Sequence, residues 1–424
     1  MRKTALVLIL AGGVSVFSEP VVLTGAMVPS FLGKDITALR VTDHRGSALP
    51  FQIDEVDSAG DYACPSGNEP TKGNGILDSA DEIVFLWEDA DTLDSCQGAG
   101  PGEKDLQGSI HCRITITHGR TNRFVYLTDD AHIALSDSKY IRYDFKNEYV
   151  QTPYYYAAFG HDRFHFTKAG VMDFARDRFV ELTNELRVKI YFKALFGLLP
   201  ISYSEQSVVC LVKRYKVGPV RLIRRGDFYL KLGFFIKGSR AAVNQICYPQ
   251  MVMVPVYVHL PVRFKTWFTQ AYIEMTPVIN TDANGFSFEV ASHSLSFPLD
   301  QQKKTDTLIL ANPNHTCMTV NNGSLGYAWV LDAAMENRYL EGSGYVFRSP
   351  SDRKGIGYCG FRLTVRDLPK GYYLIANWVL FSKNSVPSLN EACGHVSDAA
   401  RIAVADNVNT FSNQLTKTRE YKSR

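Results

Sequence analysis

Long apolar runs, paired-cysteine motifs and an excess of either charge are all missing from most of this chain. Beyond residue 18 the longest apolar stretch, Met251 to Leu260, is interrupted by Pro255. It falls well short of the roughly 20 residues with which a helix crosses a bilayer. Lysine and arginine number 46 against 43 aspartate and glutamate. So balanced a chain has no concentrated basic surface for non-specific nucleic-acid binding, and no nucleic-acid partner is expected. No CxxC, CxxCH or Cys/His pair at zinc-ligand spacing occurs, which disfavours a zinc ribbon and a covalently attached haem. No GxGxxG follows a strand and opens a helix, so a parallel nucleotide-binding sheet is not expected. GxSxG and HExxH are absent, and SxxK has no useful context, which removes the common serine-nucleophile and zinc-protease signatures.

What is present begins at the first residue. Arg2 and Lys3 precede a compact apolar segment, Ala5 to Val14, and Val16-Phe17-Ser18 offers a cleavage site before Glu19. The pattern is that of a secretory signal peptide over residues 1–18, with the mature chain beginning near Glu19. Periplasmic or extracellular localisation is therefore expected, with no transmembrane segment after the signal. Hydrophobic residues make up 45% and charged residues 21%, values of an ordinary globular protein rather than a disordered one.

The dominant pattern is β. Ile114 and Ile116 alternate with Arg113, Thr115 and Thr117, and Phe361, Leu363 and Val365 alternate with Arg362, Thr364 and Arg366. Phe286, Phe288 and Val290 repeat the same period of two, which gives a strand one wet and one buried face. The expected fold is mainly β: two or three antiparallel sandwich-like domains with few helices. Composition places an N-terminal β domain over 19–140, a central sandwich over 141–311, and a C-terminal β region with a polar tail over 312–424. One exception is expected. Val171, Phe174, Ala175, Phe179, Leu182 and Leu186 recur at three- and four-residue intervals, the spacing of an amphipathic helix, before Val188, Ile190 and Phe192 return to period two.

Eight cysteines, an even number, suggest disulfides in an exported chain. Closeness in sequence makes Cys64–Cys96, Cys210–Cys247 and Cys359–Cys393 the expected pairs.

Two motif regions stand out. Pro50-Phe51-Gln52-Ile53-Asp54-Glu55 is followed by Asn74-Gly75-Ile76-Leu77-Asp78-Ser79-Ala80-Asp81-Glu82. This pair of segments resembles the N-terminal β domain of a group of exported bacterial proteins, some linked to polysaccharide breakdown. The resemblance spans about 40 residues and implies a fold more than an activity. Asn74, Asp78 and Asp81 also have the spacing of hard oxygen ligands in a calcium loop. Pro70 and Lys72 stand where its first two ligands belong, and an Asn-Gly turn explains the same residues without a metal. The second region, Gly218-Pro219-Val220-Arg221 followed by Arg224, is similar to a strand in β-sandwich domains of polysaccharide lyases. That resemblance implies Arg221 and Arg224 as contacts for an acidic saccharide; a Gly-Pro turn into a strand is the alternative.

The richest cluster for catalysis is Tyr154-Tyr155-Tyr156 with His161, Arg163 and His165. A lyase needs a base, an acid and a positive charge beside the developing enolate, roles that His161, His165, Tyr155 and Arg163 can fill. Two functions are thus expected from the sequence. The first is a non-catalytic binding or structural protein facing carbohydrate or the cell envelope. The second is a polysaccharide lyase-like enzyme. Convergence of the histidines, a tyrosine and an arginine in one cleft would separate them.

Overall fold

The computed structural model describes residues 20–92, 111–118, 121–160, 166–230, 241–260, 262–280, 285–290, 295–298, 308–310, 315–322, 325–334, 340–348 and 357–382. Residues 1–18, the expected signal segment, and Cys96, His161, Arg163, His165 and Cys393 lie outside them.

Two small sheets come first. One has the order β1-β5-β3, from β1 (Pro20–Thr24), β3 (Phe51–Asp54) and β5 (Glu82–Leu86). The other has the order β2-β8-β6 with β7 also on β8, from β2 (Arg40–Thr42), β6 (Asp91–Thr92), β7 (His111–His118) and β8 (Thr121–Thr128). They enclose a core of Leu23, Phe31, Leu39, Val41, Ile83, Phe85, Ile114, Ile116, Val125 and Leu127. The alternation in β7 thus buries its isoleucines as the sequence pattern implies.

The remainder is a sandwich of two ten-stranded antiparallel sheets. The first runs β22-β25-β26-β19-β13-β12-β11-β10-β9, with β14 also on β13. Its strands are β9 (Arg142–Asp144), β10 (Tyr149–Gln151), β11 (Tyr155–Phe159), β12 (Phe166–Asp173), β13 (Arg178–Ala194), β14 (Leu199–Ser204), β19 (Phe268–Ile279), β22 (Leu308–Leu310), β25 (Leu340–Arg348) and β26 (Gly357–Val365). The second runs β21-β20-β23-β24-β27-β18-β17-β16-β15-β4. It contains β4 (Ser66–Gly67), β15 (Val208–Val217), β16 (Leu222–Leu230), β17 (Ala241–Cys247), β18 (Met251–Leu260), β20 (Ser287–Val290), β21 (Leu295–Pro298), β23 (His315–Asn321), β24 (Gly326–Ala334) and β27 (Gly371–Ser382). Their inner faces pack together through residues such as Tyr155, Val171 and Phe361 from the first sheet and Phe288, Trp329 and Phe381 from the second. The fold is mainly β, and the helical elements among the described residues are three-residue 3₁₀ turns.

Three expectations are corrected. The helical spacing over 171–186 belongs to a β-hairpin, with Val171 of β12 opposite Val180 of β13. Asp173 closes its turn by accepting from the Ala175 and Arg176 amides at 3.0 and 3.2 Å, and Asp177 adopts φ 49°. That chain reversal is incompatible with a continuous helix, and it leaves Phe174 half exposed. Second, strands on either side of residue 311 pair with each other in both sheets, β19 with β26 and β18 with β27. The central and C-terminal regions therefore form one sandwich. The third correction concerns cysteines. Cys64, Cys247 and Cys359 are buried free thiols, so none of the three is bridged as expected. Each is packed in a core: Cys64 between the N-terminal sheet and the sandwich, Cys247 and Cys359 within the sandwich. Cys112 is also free, whereas Cys317 is disulfide-bonded.

Burial pushes the Cys64 thiol up to about 11 and Cys247 up to about 12, so neither supplies thiolate near neutral pH. Cys64, Cys112, Cys247 and Cys359 should resist alkylation in the native protein and react on denaturation without reductant. Mass spectrometry of the labelled peptides checks this; rapid native labelling of Cys247 would contradict its burial.

Candidate functional site

The two motif regions meet in the fold through Asp54 and Arg221, 167 residues apart in sequence. Asp54 ends β3 and is fully buried, and Arg221 enters β16 from the Gly-Pro turn. The Arg221 guanidinium donates through Nε to Asp54 Oδ2 at 2.7 Å, with Nη2 at 2.6 Å from the same oxygen. It also donates to Glu82 Oε2 at 2.5 Å and to the Tyr248 hydroxyl at 2.8 Å. Gln52 donates to both Asp54 oxygens and accepts the Arg221 amide, while Lys216 Nζ lies 3.0 Å from Asp54 Oδ1. A side chain at Gly218 would place its Cβ 1.9 Å from Gln52 Oε1, so the glycine permits this close approach. Every charged atom in this cluster has an opposite or hydrogen-bonding neighbour, the condition under which a buried ion pair is tolerated.

Arg224, also fully buried, occupies a second cluster. Its Nη2 donates to Glu148 Oε2 at 2.6 Å and its Nη1 donates to Gln245 Oε1. The Tyr143 and Tyr215 hydroxyls donate to the same Glu148 carboxylate, each at 2.5 Å, and the Phe159 ring lies 4.0 Å from the guanidinium carbon. The saccharide contacts implied for Arg221 and Arg224 are thus corrected. Both guanidiniums are enclosed and matched by the protein's own acceptors, and they join sheets rather than face solvent.

The acidic stretch forms a turn. Asn74 Nδ2 donates to Asp78 Oδ2 at 2.7 Å, and its Oδ1 accepts the Ile76 amide. Asp81 is buried and accepts the Val56 amide at 2.8 Å with one oxygen and the Asp78 amide at 2.7 Å with the other. Glu55 accepts the Gly75 amide at 2.7 Å, which ties the first motif segment to the second. Asp81 and Glu55 serve backbone N–H groups and Asp78 serves the Asn74 side chain, and among the described residues no group of three or more His, Cys, Asp or Glu is placed to hold a metal. Of the four residues given catalytic roles, Tyr155 is the one described; it is fully buried and stacks on Phe381 at 4.2 Å. It sits inside the sandwich core.

A solvent-open groove lies instead on the outer face of the first sheet. Period-two geometry sends Leu186, Ala271, Met275, Phe361 and Leu363 inward, leaving the alternate residues outside. The register lines these up in rows: Arg187 opposite Thr276; Lys189 opposite Glu274, itself opposite Arg362; Tyr191 opposite Tyr272. Arg362 bonds Glu274 at 2.8 and 3.1 Å and lies 4.7 Å from the Tyr272 ring centre. Tyr191 stacks on the same ring at 5.0 Å, and Arg187 lies over Tyr358 at 4.4 Å. Opposite-charge and aromatic cross-strand pairs of this kind stabilise a sheet face while holding each side chain in place. Ser202 and Ser204, opposite Tyr191 and Lys189, form the other wall with Ser207, and the groove encloses about 530 Å³. That volume is in the range of small-ligand sites, but the lining is far more polar than is usual for them.

Sequence reasoning missed this site. Arg362 was visible as the wet position of an alternating strand, but its partners Glu274 and Lys189 are supplied by register between distant strands, which no local pattern contains.

No family model matches the chain, and no curated protein does. Among solved structures it is similar to a candidate aldose 1-epimerase from Klebsiella pneumoniae, with 11% identity and a TM-score of 0.38, over 59% of this chain and 82% of that one. It is also similar to an α-mannosidase from Enterococcus faecalis, with 6% identity and a TM-score of 0.39, over 87% of this chain and 42% of that one. A galactose mutarotase-like protein from Clostridium acetobutylicum gives 8% identity and a TM-score of 0.36, over 58% of this chain and 100% of that one. The sugar-related descriptions are those of the three neighbours.

The buried pair makes a prediction about stability. Burial pushes the Asp54 carboxyl upward, but Arg221, Lys216 and Gln52 outweigh it and hold it below the ordinary 3.8. A carboxyl with a lower pKa when folded stabilises fully above its unfolded value and loses that contribution as pH falls through the folded one. Thermal melts should therefore show a loss of stability below about pH 4, and Asp54→Asn should flatten it. Arg221→Ala, which strands Asp54 in the core, should cost roughly 3–5 kcal/mol in denaturant unfolding.

Proposed function

We propose that this chain is an exported binding protein that holds a carbohydrate in the groove on the outer face of the first sheet. The observation that carries this reading is the groove itself, a fixed array of guanidinium, ammonium, carboxylate and hydroxyl groups along a solvent-open face. Such groups supply directional donors and acceptors at close spacing, which suits a ligand covered in hydroxyls better than an apolar one. Arg187 and Lys189 line it beside Glu185, Glu205 and Glu274, with Arg362 paired to Glu274. Three cations stand against three carboxylates, which favours a neutral saccharide over a polyanion.

Export to the periplasm or beyond belongs to the same proposal and rests on the n-region, apolar segment and cleavage site at residues 1–18. An envelope or extracellular polysaccharide is the ligand class available there. The resemblance of the Pro50–Glu55 and Asn74–Glu82 segments to exported bacterial β domains agrees with it. Binding is preferred to a lyase activity because Tyr155 is enclosed and the groove has no excess of positive charge to stabilise an enolate.

Titration calorimetry of the full mature chain against neutral and uronate polysaccharides tests the reading. Binding to a neutral glycan is expected, and Lys189→Ala and Arg187→Ala should each weaken it about tenfold, the loss of a hydrogen bond to a charged group. No binding across the panel, or affinity indifferent to both substitutions, would overturn it. Release of unsaturated sugar product would assign a lyase instead. N-terminal sequencing of the exported protein should begin near Glu19; an intact Met1 would refute the export step.

A further inference from the structure

At one end of the first sheet the structure presents an apolar tip that neither the fold nor the groove explains. The β13–β14 turn exposes Leu195, Phe196, Leu198 and Leu199, with Phe196 at 88% and Leu198 at 84% of full exposure. Beside it the connection between β18 and β19 exposes Val262 and Trp267. The two loops are joined: Ala194 is opposite Phe268, and the Phe268 ring lies 4.7 Å from Phe192 and 5.2 Å from Phe264. Leu195 and Phe196 adopt φ 48° and 57°, left-handed values that large side chains rarely take. The turn thus holds two bulky apolar residues where glycine would be at ease.

Around the tip the charge is one-sided. Lys193, Arg263, Lys265, Arg366 and Lys370 flank it, and Asp367 is the single carboxylate in segments 191–204, 262–270 and 365–372. The 366–370 loop is held against the tip by the Phe264 amide, which donates to the Leu368 carbonyl at 2.7 Å, and by the Arg263–Asp367 pair at 2.5 Å. We propose that this tip is a membrane-docking element that inserts Phe196, Leu198 and Trp267 into the interface of an anionic lipid bilayer. Aromatic and aliphatic side chains enter the boundary between headgroups and acyl chains, while a collar of lysine and arginine engages anionic headgroups. A protruding turn suits insertion into a fluid surface. A second copy of the chain would need a broad self-complementary patch, which two narrow loops do not provide.

The chain carries its own probe. Of its four tryptophans, Trp87, Trp329 and Trp378 are buried and Trp267 is 57% exposed. The full mature protein should co-sediment with mixed phosphatidylcholine–phosphatidylglycerol vesicles, with a blue shift of tryptophan emission, and bind pure phosphatidylcholine far more weakly. Phe196→Gly combined with Leu198→Ser should lower the partition coefficient at least about tenfold, the transfer of one large apolar side chain. Glycine at 196 relieves the left-handed backbone, so the variant keeps its fold, which its thermal melt verifies. Lys265→Glu with Lys370→Glu should abolish the preference for anionic vesicles. Absence of co-sedimentation at low salt, or binding unchanged in both variants, would overturn the proposal. So would a dimer in sedimentation equilibrium that disappears in the Phe196→Gly, Leu198→Ser protein while vesicle binding is absent. Sugar binding in the groove is read separately and can succeed or fail without affecting this result.

Discussion

Arg221 against Asp54 is the contact on which the arrangement of the molecule depends. A small N-terminal sheet and a large sandwich must meet along a surface that buries polar strand ends, and unpaired polar groups there would be costly. The ion pair, with Glu82, Gln52, Lys216 and Tyr248 around it, matches those groups to one another. Cys64, Val84 and Leu86 from the N-terminal part pack beside Val220, Ile223 and Ile246 from the sandwich, so apolar burial surrounds the pair. The short strand β4 adds a backbone connection by pairing Ser66 and Gly67 with Tyr215 and Arg214. The N-terminal part is thereby hydrogen-bonded into the sandwich rather than strung on a linker.

The outer face of the first sheet uses similar chemistry to a different end. At the clamp, arginine and carboxylate are shut away from water and fix one part of the chain against another. In the groove, Arg362 and Glu274 are paired across strands, and Lys189 and the serine hydroxyls beside them remain within reach of solvent. The first arrangement spends its hydrogen-bonding capacity internally. The second keeps part of it available, which is what a site for a polar ligand requires.

The β character was legible wherever one face of a strand is wet, as in Arg113–Thr117 and Phe361–Arg366, because burial on one side imposes period two. It was obscured at 171–186, where Val171 and Leu182 point into the core from opposite arms of a hairpin and Phe174 sits in the turn. Their intervals mimic a helix only because the turn has four residues. The Gln52-Ile53-Asp54 and Gly218–Arg221 segments drew notice as separate motifs, and each is conspicuous for the same reason: the two are halves of one contact. Their meeting depends on long-range topology. The same holds for the cysteines, where proximity in sequence suggested bridges that core packing of Cys64, Cys247 and Cys359 replaces. Residues of the groove were invisible individually, since an arginine on a wet strand face looks like any other until register supplies its neighbours.

The strand order also governs how the chain can acquire its structure. Strand β27 is the central partner of both β18 and β24, and β26 covers β19. Until residues 357–382 have emerged, β18 and β19 each present an unsatisfied edge, and the sandwich has no closed core. A chain delivered from its N-terminus therefore spends most of its synthesis or translocation with long apolar strand edges unpaired, a condition that invites aggregation and slows folding. The N-terminal sheets, whose strands pair within residues 20–128, can form early. The order of assembly is thus inscribed in the sheet: a first unit that closes on itself, then a large one that waits for β26 and β27.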